Sequence, residues 1–223
     1  MAKISYDTTG SQVMACREYD IASATAVAEG QFVKLSSGKV VLAAVGETGA
    51  ILGIAAENHP GTADAFNLRA NGTKIKVWDS PAAAYETVAP RATATSGSTT
   101  TMAATGLATF ADSDFVGGYF KLVSKGASSA NTDPVGTVYP ITGFTASTKL
   151  FTTTKTAGGA HTAGDVFEIY PPIGFAKGNL DSGIGKYDLT ATASLSVRTA
   201  ATDPAKGTVT LEATLHAHGN KLS

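Results

Sequence analysis

The C-terminal quarter of the chain follows a strict two-residue alternation that sharply limits what it can fold into. From Asp188 to Arg198, Leu189, Ala191, Ala193, Leu195 and Val197 alternate with Thr190, Thr192, Ser194 and Ser196. From Thr208 to His218, Val209, Leu211, Ala213, Leu215 and Ala217 alternate with Thr210, Glu212, Thr214, His216 and His218. Successive side chains of a strand point to opposite faces, so this period belongs to half-buried strands and not to a helix. Turn residues between Thr202 and Gly207 join the two runs, predicting a long β-hairpin. A lone hairpin is marginal in water, so its Leu/Val/Ala face is expected to pack on the rest of the fold or on a neighbouring subunit.

The remainder reads the same way, and no apolar stripe of helical period matches it. Gln31 to Leu35 and Lys39 to Ala44 flank Ser36-Ser37-Gly38 and predict a hairpin; Ala50 to Ala56 is an apolar run whose Gly53 suits close backbone approach in a buried strand or small barrel. Asn71-Gly72 predicts a turn, and Thr73 to Trp78 alternates, with Ile75 and Val77 on one face and Lys74, Lys76 and Trp78 on the other. Residues 89–105 are almost entirely Ala, Thr, Ser and Gly, and are expected to be a linker or surface loop. Four more strands are predicted in Gly117–Val123, Gly136–Thr142, Lys149–Thr153 and Asp165–Tyr170. The expected class is all-β: a small β-barrel over 12–88, preceded by an extended arm (1–11) that orders on a neighbour, then the linker (89–105), a second β module (106–178) and the hairpin region (179–223).

Composition excludes several functions. Lys and Arg number 17 against 18 Asp and Glu, a net charge of -1, whereas nucleic-acid binders concentrate a basic excess. The single cysteine, Cys16, rules out an internal disulfide framework. Met1 to Asp7 contains no apolar run, predicting a chain without a signal peptide, and the Val40 to Ala56 stretch is broken by Gly46, Glu47, Thr48, Gly49 and Gly53, so no membrane span is expected. Only 16% of residues are charged, which leaves a surface of Thr, Ser, Ala and Gly that packs readily against other chains.

Chemistry-bearing motifs are sparse. There is no Gly-x-Ser-x-Gly elbow, Walker loop, His-Glu-x-x-His or Cys-x-x-Cys, and Gly183-Ile184-Gly185 lacks the third glycine of a dinucleotide turn. Cys16 reads as a small core residue rather than a thiol nucleophile. His216 and His218 share a strand face without an evident third ligand, so they read as solvated or at a subunit contact rather than as a metal site. Asp112 and Asp114 lack the remaining ligands of a calcium loop and are expected to cap or turn. Asn71-Gly72-Thr73 matches a glycosylation sequon but reads as turn geometry. Tyr119, Phe120, Tyr139, Phe144, Phe151, Phe167, Tyr170 and Phe175 read as core rather than as a carbohydrate platform. No catalytic residue, cofactor or metal is expected. A β-sandwich hydrolase would require carboxylates converging in a cleft, and the acidic residues are spread singly.

The run Ala28 to Ala44, with Gly30, two short strands and the Ser36-Ser37-Gly38 turn, followed by Ile51-Leu52-Gly53-Ile54-Ala55-Ala56, resembles the capsid cement or decoration proteins of tailed bacteriophages over roughly residues 25–80. Gly117 to Pro171 looks like a β module recurrent in phage virion proteins. The resemblance implies a β-tulip-like first domain and a non-enzymatic homotrimer on the outer capsid surface, assembled in the host cytoplasm, that binds the major capsid protein and staples adjacent capsomers. Neither nucleic acid nor membrane is an implied partner. Within that reading the arm and one strand are expected at capsid or subunit interfaces through Ile4, Tyr6, Ile75, Val77 and Trp78. The alternative is a β-rich tail, neck or head-fibre component that binds a receptor or glycan.

Overall fold

The computed structural model describes residues 3–7, 16–22, 25–44, 46–61, 73–79, 83–181, 186–192 and 194–214. Among them the chain is all-β, with twenty strands and no helix. The first nine are β1 Lys3–Asp7, β2 Cys16–Asp20, β3 Ala26–Val27, β4 Phe32–Ser36, β5 Lys39–Leu42, β6 Ile51–Ala55, β7 His59–Pro60, β8 Lys74–Trp78 and β9 Ala83–Val88. Then follow β10 Arg91–Gly97, β11 Thr101–Thr105, β12 Tyr119–Ser124, β13 Val138–Pro140, β14 Gly143–Thr145, β15 Leu150–Thr152 and β16 Val166–Tyr170. The last four are β17 Asn179–Asp181, β18 Lys186–Asp188, β19 Val197–Asp203 and β20 Thr208–Ala213.

The first unit is a five-stranded sheet in the order β2-β8-β6-β4-β5. Its edges meet: Ile21, just past β2, bridges Val40 in β5, and the Ala22 amide donates to the Val40 carbonyl at 3.0 Å. The sheet therefore closes around Ile21, Val27, Val33, Val40, Leu52, Ala55, Ile75 and Val77. Strand β6, and β4 at Phe32 and Val33, are buried on both faces. Val33, Leu52 and Ala55 point into this barrel, while Phe32, Ile51 and Ile54 point out of it into the main core. That double burial explains why Ile51–Ala55 reads as a continuous apolar run instead of alternating. Gly53 is required there, since a Cβ would lie 1.9 Å from the Trp78 carbonyl oxygen of the neighbouring β8.

The second unit is a seven-stranded antiparallel sheet, β13-β12-β16-β10-β11-β15-β14. Its edge strands β13 and β14 are consecutive in sequence, separated by Ile141 and Thr142 alone. A flat sheet of seven strands would hold those edges about 29 Å apart, whereas the link from Pro140 to Gly143 spans at most about 11 Å. The sheet must therefore roll up, and the hydrogen bonds show the closure. The Ile141 amide donates to Gly118, extending the β12 pairing, and the next amide, Thr142, donates to Thr152 beside β15. Inside lie Met102, Phe120, Leu122, Tyr139, Phe151, Phe167 and Ile169, with Phe110, Phe115, Phe144 and Phe175 stacked edge to face or tilted among them.

A four-stranded sheet, β1-β9-β20-β19, ties the two units together. Its buried Tyr85, Val197, Val209 and Leu211 join the main core, where Tyr85 meets Phe32 of the first barrel edge-on at 5.5 Å between ring centroids.

Several expectations are corrected here. Residues 89–105 are not a linker: β10 and β11 form a hairpin at the centre of the second barrel, with Ala92, Ala94, Met102 and Ala104 facing inward. The C-terminal hairpin pairs Val197–Asp203 with Thr208–Ala213, so its first strand begins nine residues later than Asp188. The described residues between Leu189 and Leu195 instead bond to scattered partners, Ala108 and Ala176, and Ser196 donates to Glu47 while its carbonyl accepts from the Thr214 amide at the end of the hairpin. The described part of the N-terminal arm is strand β1, paired with β9 of its own chain. Strand β9, placed in the first domain, belongs to the bridging sheet. The Asn71-Gly72 turn, Gly183–Gly185, His216 and His218 lie outside the described residues.

Substituting Gly53→Ala is expected to push β6 off β8 and to lower the unfolding free energy by about 3 kcal/mol, the range for forced overpacking of a core. Urea unfolding followed by Trp78 fluorescence would read this as a lower midpoint at unchanged slope.

Candidate functional site

The residues named as interface candidates are not brought together. Ile75 and Val77 are fully enclosed inside the first barrel, because their strand alternates toward that interior. Trp78 is half-buried and packs against the main core. Ile4 and Tyr6 lie on the edge strand β1, opposite Tyr85 and Ala84. Cys16, expected in the core, is exposed on edge strand β2 across from Trp78. Of the aromatics read as core, Phe120, Tyr139, Phe144, Phe151, Phe167, Tyr170 and Phe175 are buried, while Tyr119 is exposed because it alternates with Phe120 along β12. Asp112 accepts the Ala146 amide and Asp114 the Ala111 amide, as capping groups do. Among the described residues no group of three His, Cys, Asp or Glu could hold a metal ion.

Three polar clusters sit at structural joints. The first surrounds Glu168, in β16. Its Oε1 accepts from Arg91 Nη2 at 3.0 Å, and its Oε2 accepts from Lys121 Nζ at 2.6 Å and from the Tyr170 hydroxyl at 2.7 Å. Lys121 Nζ also donates to the Pro204 carbonyl at 2.8 Å, docking the turn of the C-terminal hairpin onto the second barrel. Burial alone would raise the Glu168 pKa, but Lys121, Tyr170 and Arg91 outweigh it and hold the carboxyl below its ordinary range. Burial, reinforced by Glu168, pushes the Tyr170 phenol well up.

The second cluster is Glu47, buried between the first barrel and the C-terminal segment. It accepts from Lys34 Nζ at 2.7 Å and from the Ala44 and Gly49 amides at 2.9 and 2.7 Å, while its own carbonyl accepts from the Ser196 amide. These donors overcome the burial penalty and lower its pKa.

The third cluster closes one end of the second barrel. Asn131 Nδ2 lies 2.9 Å from His161 Nδ1 and donates to the Tyr139 hydroxyl at 3.3 Å; that hydroxyl donates to Asp133 Oδ2 at 2.6 Å, and the Asp133 amide donates back to Asn131 Oδ1 at 2.9 Å. No sequence signal pointed to it. Asn131 and Asp133 sit in a turn-like Asn-Thr-Asp-Pro run, and His161 is thirty residues away in a loop.

One shallow surface groove is lined by Asp114, Pro172, Ile173, Phe175, Lys177 and Leu195, with Lys177 Nζ bonded to both Asp114 oxygens at 2.8 and 2.9 Å. Ile173 at its rim is 75% exposed. Set beside known proteins, the chain matches no family model, no curated protein and no solved structure.

Replacing Glu168→Ala leaves the largely buried Lys121 without its carboxylate and is expected to lower stability by about 3 kcal/mol in urea unfolding. The folded Glu168 pKa lies below its ordinary 4.5, so its contribution is present above about pH 4.5 and is lost as pH falls through the folded value. Glu168→Gln should therefore show a flatter acid limb than the wild type in unfolding measured from pH 6 to pH 3.

Proposed function

We propose that the protein is a non-enzymatic structural component of a tailed-phage virion, a decoration protein that binds the outer capsid surface as a homotrimer and cements neighbouring capsomers through the major capsid protein. The observation that carries this reading is that the segment resembling cement proteins supplies most of one small barrel. The strands between Gly30 and Ala55, with β8, form it together with β2, whose end closes it through Ile21 and Val40, and the Ile-x-Gly-Ile-Ala run is the wall between this barrel and the main core, with Gly53 pressed on β8.

The physical character of the molecule supports the same reading. A shell protein needs a rigid β scaffold and contacts multiplied by symmetry rather than a reactive centre. The carboxylates of Glu47 and Glu168, both held below their ordinary range, have their oxygens taken up by donors that hold loops and strands together. Strand β1, with Ile4 and Tyr6, is an edge of the bridging sheet, and sheet edges are where a second chain adds strands. Ile75 and Val77, being enclosed, drop out of the interface, which leaves Ile4, Tyr6 and Trp78 as its candidates.

Sedimentation of the purified chain together with quantitative mass spectrometry of the particles that encode it tests the proposal. A species of three chains, present in hundreds of copies per particle, is the expected result. A handful of copies would move the protein to the tail, neck or a head fibre, and absence from particles would overturn the virion reading.

A further inference from the structure

We propose that His161 is an acid-sensitive latch: while its ring is neutral it holds two loops, 125–137 and 153–165, over one end of the second barrel, and a second proton on the ring releases them. This rests on the fold alone and not on the virion reading.

The two loops lie flush against each other and against the barrel mouth. The Gly126 amide donates to Asp165 Oδ1 at 2.9 Å, the Gly158 amide to Asp133 Oδ1 at 3.1 Å, and the Thr162 amide to Asp165 Oδ2 at 3.0 Å. At Gly159 a Cβ would come within 2.0 Å of the Ala130 carbonyl oxygen, so the backbones touch. Along the other side, the amides of Thr153, Ala157 and His161 donate to the carbonyls of Thr100, Thr99 and Ser98 in the β10–β11 turn. His161 sits where all these segments meet. It is 0% exposed, with Phe120, Tyr139 and Phe167 arranged edge-on around it at 5.7, 4.9 and 5.2 Å between ring centroids.

The hydrogen bonds fix its protonation state. Asn131 Oδ1 is committed to the Asp133 amide, so Asn131 must turn its Nδ2 toward the ring. Nδ2 is a donor only, and therefore His161 Nδ1 must be the acceptor, with the ring proton on Nε2. Both Nδ2 hydrogens are then used, one on the ring and one on the Tyr139 hydroxyl, which passes its own proton toward Asp133. Nε2 has no hydrogen-bond partner and no exposed surface. Protonating the ring would set N–H against N–H at Asn131 and place a charge in an aromatic box. Flipping the amide to relieve the first clash would create the same clash at the Asp133 amide.

The charged and titratable groups around the ring do not remove this penalty. Asp133, from the facing loop, is engaged by Tyr139 and Gly158; Asp165, on the ring's own loop, is engaged by Gly126 and Thr162. Lys155, also on that loop, lies over the Tyr139 ring at 5.2 Å and donates to the Val138 carbonyl. From β12 and β16, Phe120 and Phe167 face the ring edge-on, and Gly97 of β10 lies against the His161 Cβ and carbonyl. Burial lowers the His161 pKa, and the attraction of Asp165 and Asp133 opposes this without reversing it. A folded value below the ordinary 6.5 means that the latch is fully present above about pH 6.5 and is lost as pH falls below it, by up to tenfold in the ratio of closed to open for each pH unit. Keeping above about pH 5 leaves ordinary carboxylates ionised.

The test is hydrogen exchange on the full chain from pH 7.5 to pH 5, corrected for intrinsic rates. Peptides from 125–137 and 153–165 should lose protection progressively below about pH 6.5, while peptides from β4 to β6 keep theirs, and His161→Gln should abolish the difference. Constant protection in the two loops, or an equal loss in the first barrel, would overturn the proposal. Imidazole nitrogen spectra of the wild type supply an independent reading should the variant fail to fold. The His161 signal should be that of the Nε2–H form at pH 7.5 and should give way to imidazolium in step with loop opening; titration near pH 6.5 with the loops still protected would overturn it equally.

Discussion

The double burial of β6, and of Phe32 and Val33 at the start of β4, is the constraint on which the rest of the structure depends. One face of each strand fills the first barrel with Val33, Leu52 and Ala55, and the other delivers Phe32, Ile51 and Ile54 to the core shared with the bridging sheet and the second barrel. Burying a large aliphatic or aromatic side chain contributes about 2 kcal/mol, so these few residues make the small barrel a wall of the large core rather than an appended module. Gly53 is the steric condition for that wall, because β6 can lie against the Trp78 carbonyl only where no side chain intervenes.

Closure is the second theme, and it is reached differently in the two units. The first barrel closes with a short parallel bridge between Ile21 and Val40; the second closes with a strand that changes partners across Ile141 and Thr142. Closing a sheet removes the open edges that invite uncontrolled pairing, which leaves, among the described residues, β1 and β19 of the bridging sheet and the short β3-β7 and β17-β18 pairs with open edges. The polar joints follow the same plan. Glu47 ties the first barrel to the C-terminal segment, Glu168 docks the hairpin turn on the second barrel, and the Asn131–His161 network seals that barrel's end.

The all-β class was legible in the sequence because its period-two runs are the signature of pleated strands. The hairpin at Ser36-Ser37-Gly38 was legible because that turn needs positive φ at two positions, and Ser37 and Gly38 supply it at 50° and 76°. Ile75 and Val77 were correctly placed on a buried face, although that face belongs to the chain's own barrel and not to an interface. The hairpin over 91–105 was missed for a packing reason. Its inward positions Ala92, Ala94 and Ala104 are small because Phe120, Phe151 and Phe167 from other strands already occupy the barrel interior, so the alternation is real but carries little hydrophobic contrast. The opposite error occurred at Leu189 to Leu195. Good alternation there was not matched by a neighbouring strand, and the segment instead spans between units with Leu189 and Leu195 as anchors. The His161 network was invisible because its members lie far apart in sequence and obey no spacing rule.

Since the two barrels share one apolar core, they should not melt separately. Differential scanning calorimetry of the intact chain at neutral pH measures this most directly. The account predicts one transition, with a calorimetric enthalpy equal to the van't Hoff enthalpy. Two resolved transitions, or a van't Hoff enthalpy well below the calorimetric one, would show that the barrels fold independently and would contradict it.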